Sequence, residues 1–235
     1  MISPYGLALR SLVGLKNLLV PNETRYRRVL FGICRGNYLP LNLRTRTRVL
    51  LGLYEIEIVK YVRTYARPGI CCYDVGAADG YYAMAFAALA APAQIYAFEG
   101  DQQLCRMLSQ TIERNTHLQS KVVVRNVFVG TGLDAAANET SLDHLVFGEG
   151  LLAPQLIKMD IEGAEYAALL GATRVLKECR PKLIIEVHSS QLETDCKQLL
   201  ESAGYKVTII DNNPLTNEKE FRRVELNRWL CAEPG

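Results

Sequence analysis

The residues with the clearest capacity for chemistry follow a short apolar segment in the first third of the chain. This segment, Ile70–Val75, contains a single carboxylate, Asp74, and leads into Gly76 and Gly80. An apolar run of this length is typical of a strand buried on both faces. Glycine permits backbone angles and close ligand approaches that a side chain would block. The pattern therefore predicts a strand, a tight turn and a helix, with a ligand bound at the turn.

The spacing of these residues indicates which ligand the turn could hold. A dinucleotide-binding turn has the order G-x-G-x-x-G, whereas here Asp74 is followed by Gly76 and then by Gly80. A carboxylate just before the turn would repel a pyrophosphate, but it can attract an ammonium group such as that of S-adenosylmethionine. The alternative is an ordinary strand-to-helix turn in which hydrogen bonds satisfy Asp74.

A second carboxylate, Glu99, ends the next apolar run, Gln94–Phe98, 19 residues after Gly80. At this separation a βαβ unit brings an acid to the ribose hydroxyls of a bound nucleoside. The alternative places Glu99 at the start of the following helix, where the helix dipole favours an acid. Asp101 competes for that role as the N-cap. The position of Glu99 at the strand end favours the ribose contact.

Three carboxylates lie together after another apolar run, Gln155–Ile161. They are Asp160, Glu162 and Glu165. Like charges so close raise one another's proton affinity unless a cation, a hydrogen-bond donor or a metal lies among them. Acids favoured by a helix dipole would explain Glu162 and Glu165 well and Asp160 poorly.

A histidine, His188, directly follows the apolar run Pro181–Val187. It lies two residues after Glu186, so the two side chains share one face of an extended chain. A histidine at a strand end can act as a base or orient a hydroxyl, although a hydrogen-bonded boundary histidine is the alternative. We expect Asp160 and His188, at the ends of neighbouring strands, to be the catalytic pair.

The elements that position these residues alternate along the chain. The predicted strands are Ile70–Val75, Gln94–Phe98, Lys121–Val129, Gln155–Ile161, Pro181–Val187, Tyr205–Ile210 and Glu225–Leu230. Helical patterns lie between most of them, and Thr131–Gly150 is predicted to be a loop or short edge element. The order predicts an α/β fold with a doubly wound, mostly parallel seven-stranded Rossmann-like sheet. The last two strands would form a hairpin around Asn212-Asn213-Pro214, which implies one antiparallel strand.

The first part of the chain differs in charge from the rest. Residues 1–67 contain 12 Lys/Arg and 3 Asp/Glu, a net charge of +9, whereas residues 68–235 carry −7. Helices are predicted at residues 5–20 and 53–65, with an irregular segment between them. We therefore expect a basic, mainly helical N-terminal segment, 1–67, and a Rossmann-like domain, 68–235. The basic segment could meet an anionic substrate, a lipid headgroup, nucleic acid or the acidic domain itself.

The cysteines and the distribution of apolar residues indicate the cellular compartment of the protein. Seven cysteines form no C-x-x-C pair, which indicates reduced, intracellular thiols. The N-terminal sequence lacks the features of a signal peptide, and no stretch has the length or apolarity of a membrane span. We expect a soluble cytoplasmic protein, with weak membrane-surface contact through residues 2–20 as a lesser alternative.

Several motifs, in order from about Leu53 to Leu230, resemble those of the FkbM-type S-adenosylmethionine-dependent methyltransferases. Gly100 stands where that family usually has proline after its F-E pair. The matching segments are Tyr54-Glu55, Asp74 to Gly80, Phe98-Glu99, Ser141-Leu142-Asp143, Lys158 to Glu165, Leu170-Gly171-Ala172 and Arg180-Pro181 to Glu186.

The resemblance implies S-adenosylmethionine as the cofactor and assigns Asp160 a role on the substrate side. We add Asn126 as a candidate for the adenine contact. The predicted cofactor-binding residues are therefore Glu55, Asp74, Gly76, Ala77, Ala78, Gly80, Glu99 and Asn126.

The expected reaction is O-methylation of a hydroxyl on a sugar or natural-product-like small molecule, with no metal. One alternative is a methyltransferase acting on nucleic acid, which the absence of a basic–aromatic stripe in residues 22–48 disfavours. The other is a non-catalytic binding protein that retains the fold. Homo-oligomer formation is left open.

Overall fold

The computed structural model describes residues 16–132, 138–211 and 227–235. The strands are β1 (Thr24–Arg28), β2 (Tyr38–Asn42), β3 (Cys71–Val75), β4 (Gln94–Phe98), β5 (Lys121–Arg125), β6 (Phe128–Val129), β7 (Glu139–Thr140), β8 (Leu156–Met159), β9 (Lys182–Val187), β10 (Tyr205–Asp211) and β11 (Arg228–Pro234). The helices are α1 (Thr47–Leu50), α2 (Val59–Tyr65), α3 (Tyr81–Leu89), α4 (Gln102–Arg114), α5 (Glu165–Leu170) and α6 (Ser190–Ser202). Two π-helical turns span His144–Gly148 and Val175–Cys179.

The central sheet has seven strands in the order β5-β4-β3-β8-β9-β11-β10. Its first five strands are parallel, whereas β11 runs antiparallel to both of its neighbours. The predicted doubly wound sheet with one antiparallel strand is confirmed. Within this sheet, the chain forms β3 first and then β4 and β5 on one side of it. It then returns to form β8 on the other side of β3. This reversal opens a crevice beyond the carboxyl ends of β3 and β8, the usual place for a ligand in such sheets.

Helix α3 is buried through most of its length because it packs between the sheet and the N-terminal segment. The Cys34 thiol donates to the carbonyl of Tyr81 (3.1 Å), and the Asn37 side-chain amide donates to the carbonyl of Met84 (3.2 Å). These contacts explain why the helix is apolar on every side and lacks an amphipathic pattern. They also join the basic segment to the helix that begins at the glycine turn.

The segment between residues 23 and 53 was predicted to be irregular, and that prediction is wrong. Strands β1 and β2 form an antiparallel pair, with Arg27 opposite Leu39. The Asn115 side chain both accepts from the amide and donates to the carbonyl of Tyr38, each at 2.8 Å. The strand pattern is hidden in the sequence because buried apolar residues come from β2, whereas β1 is rich in arginine and partly exposed.

Other boundaries differ locally. The predicted strand Lys121–Val129 is split, because β5 ends at Arg125 and β6 pairs with β7. The helical pattern between β8 and β9 consists of α5 and a separate π-helical turn. The expected turn at Asn212-Asn213-Pro214 and residues 1–15 lie outside the described residues. Within the described ranges, no helix has the length and apolarity needed to span a membrane.

Candidate functional site

The glycine turn is tightly fitted between the ends of β4 and β8. The backbone φ angles of Gly76, Ala78 and Gly80 are +77°, +47° and +97°, a region in which glycine is the least strained residue. The amides of Gly76 and Ala77 both donate to the carbonyl of Phe98 at 3.0 Å. A side-chain carbon at Gly76 would overlap the carbonyl oxygen of Asp160. The turn therefore touches the end of β8, which is followed by Asp160, Glu162 and Glu165. We call these three residues the acidic cluster.

Asp74 lies fully buried beneath this turn. Neither of its carboxylate oxygens has a hydrogen-bond partner of good geometry. Burial raises the pKa of Asp74 to about 7, although Lys158 and the amide of Ala83 act to lower it. A buried carboxylate with free acceptor positions fits a cationic group better than an anion.

Lys158 is the buried cation that separates the acids. Its Nζ atom lies 3.5 Å from Oδ2 of Asp160, 4.0 Å from Oδ1 of Asp74 and 4.9 Å from the centre of the Tyr82 ring. Burial acts to lower the pKa of Lys158, but the surrounding carboxylates outweigh it and the pKa is raised. Lys158 is therefore charged and partly neutralises the negative charge of Asp74 and Asp160.

Two further acids surround this lysine. Glu55 accepts a hydrogen bond from the Tyr82 hydroxyl, and burial raises the pKa of Glu55. Burial and the charge of Asp160 raise the pKa of Glu186 far above its ordinary value. Glu186 therefore keeps its proton at neutral pH. Through its hydrogen bond with Tyr82, Glu55 connects the N-terminal segment to α3.

Glu99 closes the other side of the turn. Its Oε2 accepts from the amide of Ala78 and its Oε1 from the amide of Asp101, both at 2.8 Å. Each carboxylate oxygen retains a second acceptor position, so two adjacent hydroxyls could bind there. Asp101 accepts from the amides of Gln103 and Leu104 and caps α4, as expected.

Asn126 contacts the backbone next to Glu99. Its side-chain amide donates to the carbonyls of Glu99 and Gly100, both at 2.9 Å. These bonds hold the backbone that presents the Glu99 carboxylate. Next to them, the Phe128 ring fills the space in which a side-chain carbon at Gly100 would lie. This ring accounts for glycine where the resembled family has proline.

His188 lies within the acidic cluster. Its Nδ1 is 3.1 Å from Oε1 of Glu165, and its Nε2 is 3.5 Å from Oδ1 of Asp160 and 3.8 Å from Oε2 of Glu162. Burial acts to lower the pKa of His188, but the hydrogen bond to Glu165 and the nearby carboxylates outweigh it, and the pKa is raised. Because a carboxylate can only accept, Glu165 favours a proton on Nδ1 and leaves Nε2 to face Asp160.

The same residues could hold a divalent cation. The candidate ligand atoms of Asp160, Glu165 and His188 lie within 4.8 Å of one another. However, Oε1 of Glu165 already accepts from the amides of Ile161 (3.2 Å) and Gly163 (3.1 Å) as well as facing His188. A carboxylate used in this way is better suited to orienting the imidazole, so a site without metal stays our prediction.

The sequence analysis missed three contributors to this site. Lys158 and Glu165 were part of recognised motifs but received no role, although a lysine inside a buried apolar strand is itself an unusual signal. Arg46, from the N-terminal segment, forms an ion pair with the nearly buried Asp79 of the glycine turn. No local pattern links Arg46 to a turn more than thirty residues away.

Comparison with known proteins supports the resemblance seen in the motifs. A family model for the methyltransferase FkbM domain matches residues 134–207. The methyltransferase FkbM from Methylobacillus flagellatus has a similar structure, with a TM-score of 0.57 and 20% identity. This chain resembles the FkbM methyltransferases. The predicted resemblance is thereby confirmed. The alignment covers 79% of this chain and 55% of that one, so this FkbM-like chain spans little more than half of that protein's length.

More distant methyltransferases share the fold with this FkbM-like chain. Magnesium protoporphyrin IX methyltransferase from Synechocystis, solved with bound S-adenosylmethionine, has a TM-score of 0.53 at 11% identity, covering 76% of both chains. Fibrillarin from Aeropyrum pernix, also with bound S-adenosylmethionine, has a TM-score of 0.50 at 11% identity, covering 71% of this chain and 68% of its own. No curated protein sequence matches the chain significantly. These likenesses establish the methyltransferase fold.

Proposed function

We propose that this chain is an S-adenosylmethionine-dependent methyltransferase that methylates a hydroxyl group of a sugar or natural-product-like small molecule. The observation that carries the proposal is the direct approach of the Gly76 turn to Asp160, with His188 beside it. A cofactor held at the turn would then face an acid and a base. A hydroxyl acceptor loses its proton as the new bond forms, so a base within hydrogen-bond reach of the reacting oxygen favours O-methylation.

The residues of the turn fit this cofactor. Asp74 provides buried negative charge beneath the turn, which favours a cationic amino acid group. The cofactor would lie against the backbone of the turn, which is formed by Gly76, Ala77, Ala78 and Gly80. The Glu99 carboxylate would accept hydrogen bonds from the two ribose hydroxyls. We assign Asn126 to positioning Glu99, because its side-chain amide donates to the carbonyls of Glu99 and Gly100. Glu55 would act indirectly, through Tyr82.

When bound, S-adenosylmethionine supplies an electrophilic methyl group on a sulfonium sulfur. His188 would take the proton of the acceptor hydroxyl at Nε2 while Glu165 holds Nδ1. Asp160 would stabilise the imidazolium that forms, because its Oδ1 lies 3.5 Å from Nε2. Lys158 and the protonated Glu186 limit the repulsion among the acids. Most of the rate would come from aligning the acceptor oxygen with the methyl group.

A nucleic acid acceptor is less favoured by the contacts of the basic segment. Arg46 pairs with Asp79, and the Nε atom of Arg44 donates to the carbonyl of Val20 (2.8 Å). Part of the positive charge is therefore used within the chain. A steep fall of binding affinity with added salt would be the sign of nucleic acid binding.

Calorimetric titration with S-adenosylmethionine tests the cofactor, and methyl transfer to a panel of hydroxyl-bearing small molecules tests the reaction. We expect micromolar-range binding by the wild type and a loss in the Asp74→Ala variant. The Glu113→Gln variant is the control, because Glu113 is an exposed acid on α4 that has no place in the candidate site. Absence of binding by a folded wild type would contradict the proposal. Binding without transfer to any acceptor would favour the non-catalytic alternative.

A further inference from the structure

Two loop tips of the N-terminal segment expose large apolar side chains next to each other. One tip, between β1 and β2, contains Leu30 and Phe31. The other, after α1, contains Leu51 and Leu53. Between 40% and 58% of the surface of each of these four residues is exposed. We call these four residues the tip patch.

The two tips are joined through their backbones. The amide of Leu30 donates to the carbonyl of Leu50 at 3.0 Å. A side-chain carbon at Gly32 would come within 2.7 Å of the Cα atom of Gly52. Only two glycines can approach so closely. The tip patch is therefore a single surface and not two unrelated loops.

Exposed apolar residues are concentrated in this part of the molecule. Of the 12 large apolar residues exposed in the described chain, seven lie between residues 18 and 53. Single exposed leucines need no explanation, but a cluster of this kind marks an interaction surface. Leu18 and Leu19, which precede β1, are the most exposed of all.

The segment that carries the tip patch is strongly basic in sequence. Residues 24–53 contain seven arginines and no aspartate or glutamate. Arg35 is exposed in the same loop as Phe31, and Arg28 is exposed at the end of β1. A second copy of this chain would place the same arginines opposite one another, so like charges oppose self-association through this face. A partner surface that complements the tip patch would have an apolar region bordered by negative charge.

We propose that the tip patch docks on the surface of a lipid bilayer that contains anionic headgroups. The four apolar side chains would enter the boundary between headgroups and acyl chains, and the surrounding arginines would pair with lipid phosphates. Nucleic acid would use the arginines but gives no role to the exposed leucines. This inference does not depend on the methyl acceptor or on cofactor binding.

The docked surface would be rigidly connected to the glycine turn. Cys34, in the loop that carries Phe31, contacts the first residue of α3, and Arg46 contacts Asp79. A bilayer held at the tip patch would thus hold the candidate site close to the membrane. An acceptor presented at a bilayer surface is consistent with this arrangement.

Vesicle co-sedimentation tests the proposal with the full chain. The probes are vesicles of phosphatidylcholine alone and of phosphatidylcholine mixed with phosphatidylglycerol. We expect the wild type to bind the mixed vesicles and the Phe31→Ser/Leu53→Ser variant to bind at least about tenfold more weakly, because two apolar side chains no longer enter the boundary. The matched control is Leu152→Ser/Leu170→Ser, whose residues are 58% and 46% exposed, against 58% and 47% for the tested pair. This control should bind like the wild type.

Three results would overturn the proposal. The first is a folded wild type that binds neither kind of vesicle. The second is equal binding by the wild type and the tip-patch variant, which would assign attachment to another part of the chain. The third is a concentration-dependent dimer in size-exclusion chromatography that the tip-patch variant abolishes. Thermal unfolding of each variant provides the folding control, and equal Tm values would show that the loss is one of binding.

Discussion

Gly76 lies so close to Asp160 that a side-chain carbon at position 76 would overlap the Asp160 carbonyl oxygen. The contact joins the end of β3 to the end of β8, on either side of the crevice at which the chain reverses direction in the sheet. The glycine is therefore required by a neighbour as well as by its own φ angle of +77°. The glycine turn and the acidic cluster behave as one structural unit.

The Gly76→Ala variant should lose both stability and cofactor affinity. Gly150 supplies the control, because its φ angle is +75° and nothing lies within 4 Å of an added side-chain carbon. We expect Gly150→Ala to destabilise by about 1 kcal/mol, the cost of a left-handed backbone for alanine. Gly76→Ala should destabilise more, because the Asp160 carbonyl must also move. Thermal unfolding and calorimetry with S-adenosylmethionine measure the two effects. Equal losses in both variants would mean that the contact is unimportant.

Replacing His188 should impair methyl transfer far more than cofactor binding. We expect His188→Gln to lower kcat by roughly 10²- to 10⁴-fold, the usual contribution of a general base. The dissociation constant for S-adenosylmethionine should stay close to the wild-type value, because the polar partners of His188 are Glu165, Asp160 and Glu162 and not residues of the turn. Radiolabelled methyl transfer and calorimetry separate the two quantities. A parallel loss of binding and turnover would instead indicate a structural role.

The rate of methyl transfer should increase with pH as His188 loses its proton. Only the neutral imidazole can accept a proton, and the pKa of His188 is raised above 6.5, so the inflection should lie above that value. The Glu165→Gln variant removes the charge that favours imidazolium but keeps an oxygen for the neighbouring amides. Its inflection should move to lower pH. A pH profile of kcat measures this shift, and an unchanged profile would assign the base to another residue.

Gly100 and Phe128 should be energetically coupled. The Phe128 ring occupies the space beside Gly100 and is itself more than half exposed, so it can move. We expect Gly100→Ala to destabilise by about 1 kcal/mol, the cost of moving one side chain from its preferred rotamer. In a Phe128→Ala background the same substitution should have almost no effect. A double-mutant cycle of chemical unfolding measures the coupling, and additive effects would contradict the contact.

Local sequence patterns determined much of the sheet. The apolar runs ending at Val75, Phe98 and Val187 predict strands that the structure contains within one or two residues. This works because a strand buried on both faces must be apolar throughout, whatever its neighbours are. The same patterns placed Asp74, Glu99 and Asp160 at or just after strand ends, and the order of the motifs was sufficient to indicate the methyltransferase family.

Tertiary structure alone decided which of these residues meet. Lys158 lies between Asp74 and Asp160 because β3 and β8 are neighbours in register, although more than eighty residues separate them in sequence. Sequence spacing carries no information about such contacts, since strand order and register are set by the packing of the whole sheet. The β1–β2 pair and its joined glycine tips were hidden for the same reason. Their pattern is completed by distant partners such as Asn115, and no local run of residues encodes it.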